Sequence, residues 1–153
     1  MVLRLLAPIL AFGALTAGAA AADPESCQWD PKNSERLDPA SPEVTAILKP
    51  AVADLTQQLG KPAKLGEQSI SRSGQWMFVE ATILGADGRP IDYTGTPFAE
   101  AAAHGGKSKK YLALLRHDDH GWNLVTRAIG PTDAQDRGWP EKYGSPPVYF
   151  ICN

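Results

Sequence analysis

The hydrophobic pattern changes its period at Gly60, and this change constrains the fold more than any other feature of the chain. Before Gly60, apolar side chains recur at spacings of three and four residues, which predicts one amphipathic helix. The members of this stripe are Val44, Ile47, Leu48, Ala51, Val52, Leu55 and Leu59. Beyond Gly60 the period becomes two, which predicts β-strands. One helix followed by a run of strands is typical of an α+β domain.

The predicted helix has clear start and stop signals and one interruption. Ser41 suits the N-cap because its hydroxyl can accept a hydrogen bond from a free backbone N–H, and Pro42 suits the first turn. Gly60 is a typical C-terminal stop. Pro50 lies inside the stripe and removes one backbone donor, so we expect a kink or a break near Lys49.

Four segments with period two follow the helix. They are residues 64–74, 76–84, 110–116 and 121–129. In the second, the pattern assigns Met77, Val79, Ala81 and Ile83 to one face, and Trp76, Phe78, Glu80 and Thr82 to the other. A short Ala-rich helix at 96–105, one helical turn at 139–143 and an extended piece at 148–152 complete the predicted elements. We therefore expect a kinked N-terminal helix packed on a curved, mainly antiparallel sheet of about four strands.

The first 22 residues have the composition of a secretory signal peptide. One positive charge, Arg4, precedes a long apolar run, and three alanines at 20–22 precede Asp23 as a cleavage region. The alternative is an uncleaved membrane anchor, because the apolar stretch reaches the lower length limit for a span. We expect cleavage, which leaves residues 23–153 as a single α+β domain that is periplasmic or secreted.

Two cysteines, Cys27 and Cys152, lie near opposite ends of the mature chain. An exported protein meets an oxidising compartment, so an even pair predicts a structural disulfide. Two independent thiols or a redox pair are the alternatives, but the spacing is not the Cys-x-x-Cys that lowers a thiol pKa.

The charge balance argues against nucleic acid and anionic lipid as partners. With Arg4 removed, 14 basic side chains face 17 acidic ones, and the sequence forms no basic stripe. Lys107, Lys109 and Lys110 lie in a short Gly-flanked cluster that favours a solvated loop over a phosphate site. We expect no membrane contact after signal cleavage.

Residues 117–120, with the sequence His-Asp-Asp-His, raise the question of a metal site. They separate two segments of strand-like pattern, and four polar residues before a glycine are a common hairpin connection. A dedicated zinc site needs three or four ligands with supporting contacts, and the neighbouring sequence supplies none. We therefore predict a surface hairpin, no bound metal and no cofactor.

Two loop-rich stretches mix large aromatic side chains with charges. The resulting candidate binding surface consists of Asp92, Tyr93, Asp133, Trp139 and Tyr143. The alternative is that Trp139 and Tyr143 cap one end of the sheet and that Asp133 lies in a turn. No serine elbow, cysteine–histidine pair or phosphate-binding glycine loop is present, so we predict no catalytic residues.

Several motifs resemble a group of small exported bacterial proteins to which no activity is assigned. They are a Gly-x-Trp-x-Phe-Val strand at 74–79, a Pro-Ile-Asp motif at 90–92, a hairpin leading into Gly-Trp at 121–122 and an Ile-Gly-Pro-Thr-Asp turn at 129–133. The resemblance covers about residues 44–150 and implies no catalytic residues. The order of elements is also similar to cystatin-like and ketosteroid-isomerase-like folds, which host enzymes, binders and inhibitors alike.

The function that we expect is a non-enzymatic domain that binds an envelope protein or a small ligand. One alternative is a small hydrolase or isomerase with a cup-shaped pocket, in which Asp92, Asp133 or His104 acts as acid or base. That alternative requires a buried carboxylate with a raised pKa. Another is an inhibitor of an envelope-directed hydrolase.

The predicted disulfide is testable by counting thiols. Protein purified after export should show no free thiol under denaturing conditions and two after reduction, because we predict that Cys27 and Cys152 are paired. Reduction should destabilise the fold by an amount up to the loop-closure value of about 4–5 kcal/mol. Two reactive thiols in the unreduced protein would contradict the pairing.

Overall fold

The computed structural model describes residues 34–147. The strands are β1 (Glu35–Arg36), β2 (Ala63–Ser73), β3 (Trp76–Gly85), β4 (Lys110–Asp118) and β5 (Gly121–Ile129). The helices are α1 (Pro42–Leu59), α2 (Ala99–Ala103) and α3 (Trp139–Tyr143), and a 3-10 turn occupies Gln135–Gly138. The predicted signal peptide, both cysteines and the extended piece at 148–152 lie outside the described residues.

The strands form one open antiparallel sheet in sequence order, β1-β2-β3-β4-β5. The α+β prediction is therefore confirmed. The four predicted strands are all present, and the fifth, β1, is a two-residue strand that sequence reasoning missed. It pairs with Ser71 and Arg72 at one edge of the sheet. Such a short strand carries too few residues to show a period of two.

Helix α1 begins and ends where its signals predict. The Ser41 hydroxyl accepts a hydrogen bond from the backbone N–H of Val44 at 3.2 Å. Gly60 adopts a left-handed conformation with φ of 68°, which lets its N–H donate to carbonyls of the last turn. The helix does not break at Pro50. Pro50 is exposed, and the buried stripe on either side holds both halves of the helix against the sheet.

Both faces of the sheet carry an apolar cluster. The inner cluster packs under α1 and contains Met77, Val79, Ala81 and Ile83, as the alternation predicts. The outer cluster lies on the opposite face and consists of Trp76, Phe78, Leu112, Leu114, Ala128 and Trp139. Because both faces are covered, residues 76–79 of β3 and 111–115 of β4 are buried without interruption. Continuous burial of this kind is typical of central strands.

Residues 135–143 cover part of the outer cluster and are called the outer cover below. Trp139 is buried, and its ring centroid lies 5.7 Å from that of Phe78. The predicted helical turn at 139–143 is present as α3. The outer cover thus gives the sheet a second apolar layer.

An ion pair fastens α1 to the edge strand β5. The Nε atom of Arg127 lies 2.5 Å from an oxygen of Asp54, and the two side chains are 30% and 24% exposed. Beside them, the buried Tyr111 hydroxyl donates to the Ala51 carbonyl at 3.3 Å. Burial raises the pKa of Tyr111, and the Asp54 carboxylate adds to that rise.

Two irregularities interrupt the ladders of the sheet. The β2–β3 register shifts between Gly66 and Ser69, where Glu67 has a positive φ of 45°. The β4–β5 register shifts so that Val125 has no partner in the ladder. Such bulges increase the local twist of a strand. Among residues 34–147, no helix is long and apolar enough to cross a bilayer.

The Asp54–Arg127 pair should contribute more to stability than the exposed Arg72–Glu35 pair on the opposite edge. The atoms of the latter lie 2.9 Å apart, but its side chains are 37% and 60% exposed. A double-mutant cycle on Asp54→Asn and Arg127→Gln should give a coupling energy of about 1–2 kcal/mol in urea unfolding. The same cycle on the exposed pair should give at most about 0.5 kcal/mol. Equal coupling energies would contradict this difference in burial.

Candidate functional site

Residues 117–120 form the tip of the β4–β5 hairpin, so the hairpin prediction is confirmed. The strands pair up to Asp118 and Gly121, and the connection is shorter than the four residues predicted. The backbone N–H of His120 donates to the Asp118 carboxylate at 2.8 Å. All four residues are exposed. Across residues 34–147, no three His, Cys, Asp or Glu side chains are grouped closely enough to hold a metal ion.

The candidate surface residues do not come together in one place. Tyr93 is buried in the inner cluster, whereas Trp139 belongs to the outer cluster and Tyr143 packs against it. Asp92 and Asp133 are exposed. Trp139 packs on a face of the sheet rather than capping one end of it. Asp92 lines a cleft, which is described below.

A hydrogen-bonded bridge at Ser108 joins two of the sequence motifs. The Tyr93 hydroxyl donates to the Ser108 carbonyl at 2.7 Å, and the Ser108 hydroxyl donates to the Pro131 carbonyl at 2.6 Å. The Ser108 N–H donates to the Gly130 carbonyl at 3.0 Å. The Pro-Ile-Asp loop and the Ile-Gly-Pro-Thr-Asp turn are therefore fixed against each other.

Two lysines flanking Ser108 reinforce this bridge. The Lys107 ammonium donates to the Ile129 carbonyl at 2.8 Å, and the Lys109 ammonium donates to the Ile91 carbonyl. Lys109 also lies over the Tyr93 ring, 4.8 Å from its centroid. Of the three lysines predicted to lie in a solvated loop, Lys109 and Lys110 are exposed, whereas Lys107 is half-buried. The ammonium groups of Lys107 and Lys109 thus hold main-chain carbonyls in place.

An open cleft of about 500 Å³ lies beside this bridge. It is lined by residues 61–62 after α1, by 85–87 at the end of β3, and by 89–92 in the loop that follows. The Lys61 ammonium donates to the carbonyl of Asp92 and, at 3.0 Å, to that of Thr94. The end of α1 and the Pro-Ile-Asp loop are thus joined across the cleft.

The two carboxylates in the cleft already take part in loop hydrogen bonds. The Asp92 carboxylate accepts from the backbone N–H of Thr94 at 2.9 Å and from its hydroxyl at 2.8 Å. These bonds lower the pKa of Asp92, and the nearby Lys61 and Lys109 charges add to the effect. Asp87 accepts from the backbone N–H of Arg89 at 3.0 Å. Both side chains therefore shape the loop through hydrogen bonds to its backbone.

Arg89 differs from the other charged residues of the cleft. Its side chain is 86% exposed, and its Nε lies 4.0 Å from an oxygen of Asp87, the limit of an ion pair. An ion pair this long and exposed contributes little to the stability of the fold. The guanidinium offers five N–H donors in a planar fork that matches a carboxylate or phosphate. Arg89 is therefore the cleft residue best able to bind an anion.

The residues proposed for acid–base catalysis have exposed positions. Asp92 and Asp133 are exposed, and the pKa of Asp92 is lowered, whereas a pocket acid requires a buried carboxylate with a raised pKa. His104 is exposed at the end of α2. Of these three side chains, Asp92 lines the cleft, and its lowered pKa does not suit a general acid at neutral pH.

Sequence reasoning missed Lys61, Arg89 and Ser108. Lys61 follows the helix stop and Arg89 lies in a turn, and both contexts normally place a basic side chain in solvent. Lys61 and Asp92 are 31 residues apart, so their contact appears only once the strands have paired. The Pro-Ile-Asp motif was the one signal that pointed to this part of the molecule.

Comparisons with known proteins identify no relative of the chain. No family model, curated protein or solved structure matches it. The resemblance to small exported bacterial proteins therefore stays a prediction, and the candidate site rests on the geometry of the cleft alone.

The Ser108 bridge predicts that Gly130 is sensitive to a single added methyl group. A β-carbon at Gly130, where φ is +59°, would lie 2.6 Å from the Tyr93 hydroxyl and 2.8 Å from the Ser108 carbonyl. Gly130→Ala should therefore lower the free energy of unfolding by about 3 kcal/mol, from crowding and a left-handed backbone together. Urea unfolding measures this loss.

Gly74 provides the matched control because its φ is +55° and a β-carbon there meets no atom within 4 Å. Gly74→Ala should cost only about 1 kcal/mol, the backbone contribution. Equal losses at the two glycines would show that the bridge does not crowd Gly130.

Proposed function

We propose that this chain is an exported binding domain that takes a small organic anion in the cleft beside the Pro-Ile-Asp loop. The observation that carries the proposal is the Arg89 guanidinium, 86% exposed at a cleft of about 500 Å³. The other charged side chains of the cleft, Lys61, Asp87 and Asp92, form hydrogen bonds with backbone groups of the loops. Arg89 is thus left to pair with a ligand.

The charges around the cleft favour an anion of low charge. Lys61 lies on the cleft wall and adds a positive field to that of Arg89. Asp87 and Asp92 oppose it, so a polyphosphate would meet two carboxylates as well as two cations. A monocarboxylate needs only one guanidinium fork and fits this balance better.

The remaining walls favour an apolar ligand body. Pro62, Ala86 and Pro90 line the cleft and are exposed. Small-ligand sites typically combine such apolar walls with a few polar groups, in volumes of roughly 300–1,000 Å³. The ligand class proposed is a carboxylate with a compact apolar group.

The cleft is held in shape before any ligand arrives. Lys61 and Lys109 both bind carbonyls of residues 91–94, and the Tyr93 hydroxyl binds Ser108. A wall that is already ordered reduces the entropy lost on binding. The ordered wall of the cleft therefore supports a role in ligand binding for the Pro-Ile-Asp loop.

Export is the second part of the proposal and rests on sequence. Residues 1–22 have a charged start, an apolar run and a small-residue cleavage region. The predicted Cys27–Cys152 disulfide is consistent with an oxidising compartment. The protein would then meet its ligand in the periplasm or outside the cell.

Arg89 should control binding of simple carboxylates. Backbone NMR of the protein purified after export, titrated with hexanoate, benzoate and phenylacetate, should show saturable shifts confined to the cleft, at Ala86, Arg89 and Ile91. Arg89→Ala should weaken the binding at least about tenfold, because a charge-assisted pair contributes about 1.5–3 kcal/mol. The carboxylate affinity of Arg89→Lys should lie between those of the unaltered protein and of Arg89→Ala, because lysine keeps the positive charge but lacks the planar guanidinium fork.

Arg116→Ala is the matched control, because Arg116 is an exposed arginine stacked on Trp76 on the outer face. It should bind like the unaltered protein. Unchanged affinity in Arg89→Ala would remove this residue from the site. No cleft shift with any of the three acids would contradict a carboxylate site.

A further inference from the structure

Lys61 and Asp87 both line the cleft, and each keeps one hydrogen-bonding position that the loops do not use. A lysine ammonium has three N–H donors, and Lys61 gives two of them to the carbonyls of Asp92 and Thr94. The Asp87 carboxylate accepts from the Arg89 backbone N–H through Oδ1, while its Oδ2 lies 4.0 Å from the Arg89 Nε. Among residues 34–147, one donor of Lys61 and one oxygen of Asp87 therefore remain for a ligand.

Asp87 and Arg89 face a bound carboxylate together, because the Asp87 Oδ2 and the Arg89 Nε lie 4.0 Å apart. A ligand carboxylate paired with the Arg89 guanidinium brings the neighbouring atoms of the ligand close to Asp87. In an amino acid, the α-nitrogen is attached to the carbon that carries the carboxylate. An N–H at that position can donate to the remaining oxygen of Asp87 while the carboxylate stays on Arg89.

The remaining donor of Lys61 distinguishes an acylated nitrogen from a free amino group. A free amino acid carries an ammonium, which the Lys61 ammonium repels and which offers no acceptor. An acylated nitrogen is neutral, and its carbonyl can accept from Lys61. A single amide thus supplies the N–H for Asp87 and the carbonyl oxygen for Lys61.

The size of the cleft also favours a ligand larger than a simple acid. A closed cavity of about 150 Å³ already holds benzene, whereas the cleft measures about 500 Å³. The cleft is open, so a chain attached to the acyl group can leave it. The apolar walls at Pro62, Ala86 and Pro90 suit a small apolar side chain beside the carboxylate.

We propose that the cleft binds an N-acylated amino acid with a small apolar side chain, which is the chemical group at the carboxyl end of a peptide. The carboxylate pairs with Arg89, the amide N–H donates to Asp87, and the amide carbonyl accepts from Lys61. This inference rests on the proposed carboxylate site and names the class of ligand that the site takes.

Three ligands that differ at the amide test the proposal on the unaltered protein. N-acetylalanine has the amide, 2-methylpentanoate has hydrocarbon in its place, and alanine has a free ammonium. In NMR titrations followed at Ala86, Arg89 and Ile91, N-acetylalanine should bind about tenfold more tightly than 2-methylpentanoate, because both amide hydrogen bonds involve a charged partner. Alanine should also bind more weakly than N-acetylalanine.

Lys61→Met and Asp87→Asn separate the two amide contacts. The quantity compared is the ratio of the N-acetylalanine affinity to the 2-methylpentanoate affinity, because a disturbed loop would weaken the binding of both ligands. Lys61→Met should lower this ratio severalfold, since methionine has no N–H. Asp87→Asn should also lower it, because asparagine can still accept from the Arg89 N–H but has an NH₂ group in place of the second oxygen.

Lys64→Met is the matched control for Lys61→Met. The Lys64 ammonium donates to the Ala86 carbonyl at 3.2 Å, and Lys64 does not line the cleft. This variant therefore loses a loop contact of the same kind and keeps every proposed ligand contact. Its affinity ratio should equal that of the unaltered protein.

N-acetyl-trialanine identifies the source of the ligand. Tighter binding of this peptide than of N-acetylalanine would assign the site to peptide ends, and equal binding would assign it to single acylated amino acids. Both results support recognition of the amide.

Two results would overturn recognition of the amide and leave the carboxylate site intact. One is equal affinity for N-acetylalanine and 2-methylpentanoate, with both lost in Arg89→Ala. The other is alanine binding as tightly as N-acetylalanine, which would assign the site to free amino acids. Absence of binding by every one of these ligands would contradict the carboxylate site itself.

Discussion

Burial of both faces of β3 and β4 is the constraint on which the rest of the structure depends. These strands carry apolar side chains at consecutive positions, so one covering layer is not enough. Helix α1 covers the inner face, and the outer cover adds a smaller layer on the other. Buried apolar area stabilises by about 25 cal/mol per Å². Residues 135–143 are therefore part of the fold.

A second constraint acts on the loops at one end of the sheet, where polar backbone groups need hydrogen-bond partners. Lys61, Lys107 and Lys109 each donate to main-chain carbonyls, and Ser108 links both motif loops. Buried carbonyls without partners are costly, so these contacts stabilise loops that lack regular structure. The same contacts shape one wall of the cleft.

The sequence predicted the parts of the fold that local rules determine. The caps of α1 at Ser41 and Gly60, the inner face of β3 and the helical turn at 139–143 all follow from periodicity and side-chain chemistry. The candidate site was predicted less well. Trp139 and Tyr93 are large aromatic side chains that the sequence fits equally to a surface or to a core, and both are buried in the structure. Arg89 acquires its surroundings in the cleft only when the distant segment at residues 61–62 packs beside its loop.

The two register shifts bear on how the domain behaves at high concentration. Strand β1 covers only one end of β2, and the bulge near Glu67 interrupts the remaining ladder. On the opposite edge, the bulge at Val125 interrupts β5. A strand from another molecule would need a regular row of hydrogen-bonding groups, which neither edge provides over its full length. The irregular edges of the described sheet are thus poor templates for the regular strand pairing that cross-β fibrils require.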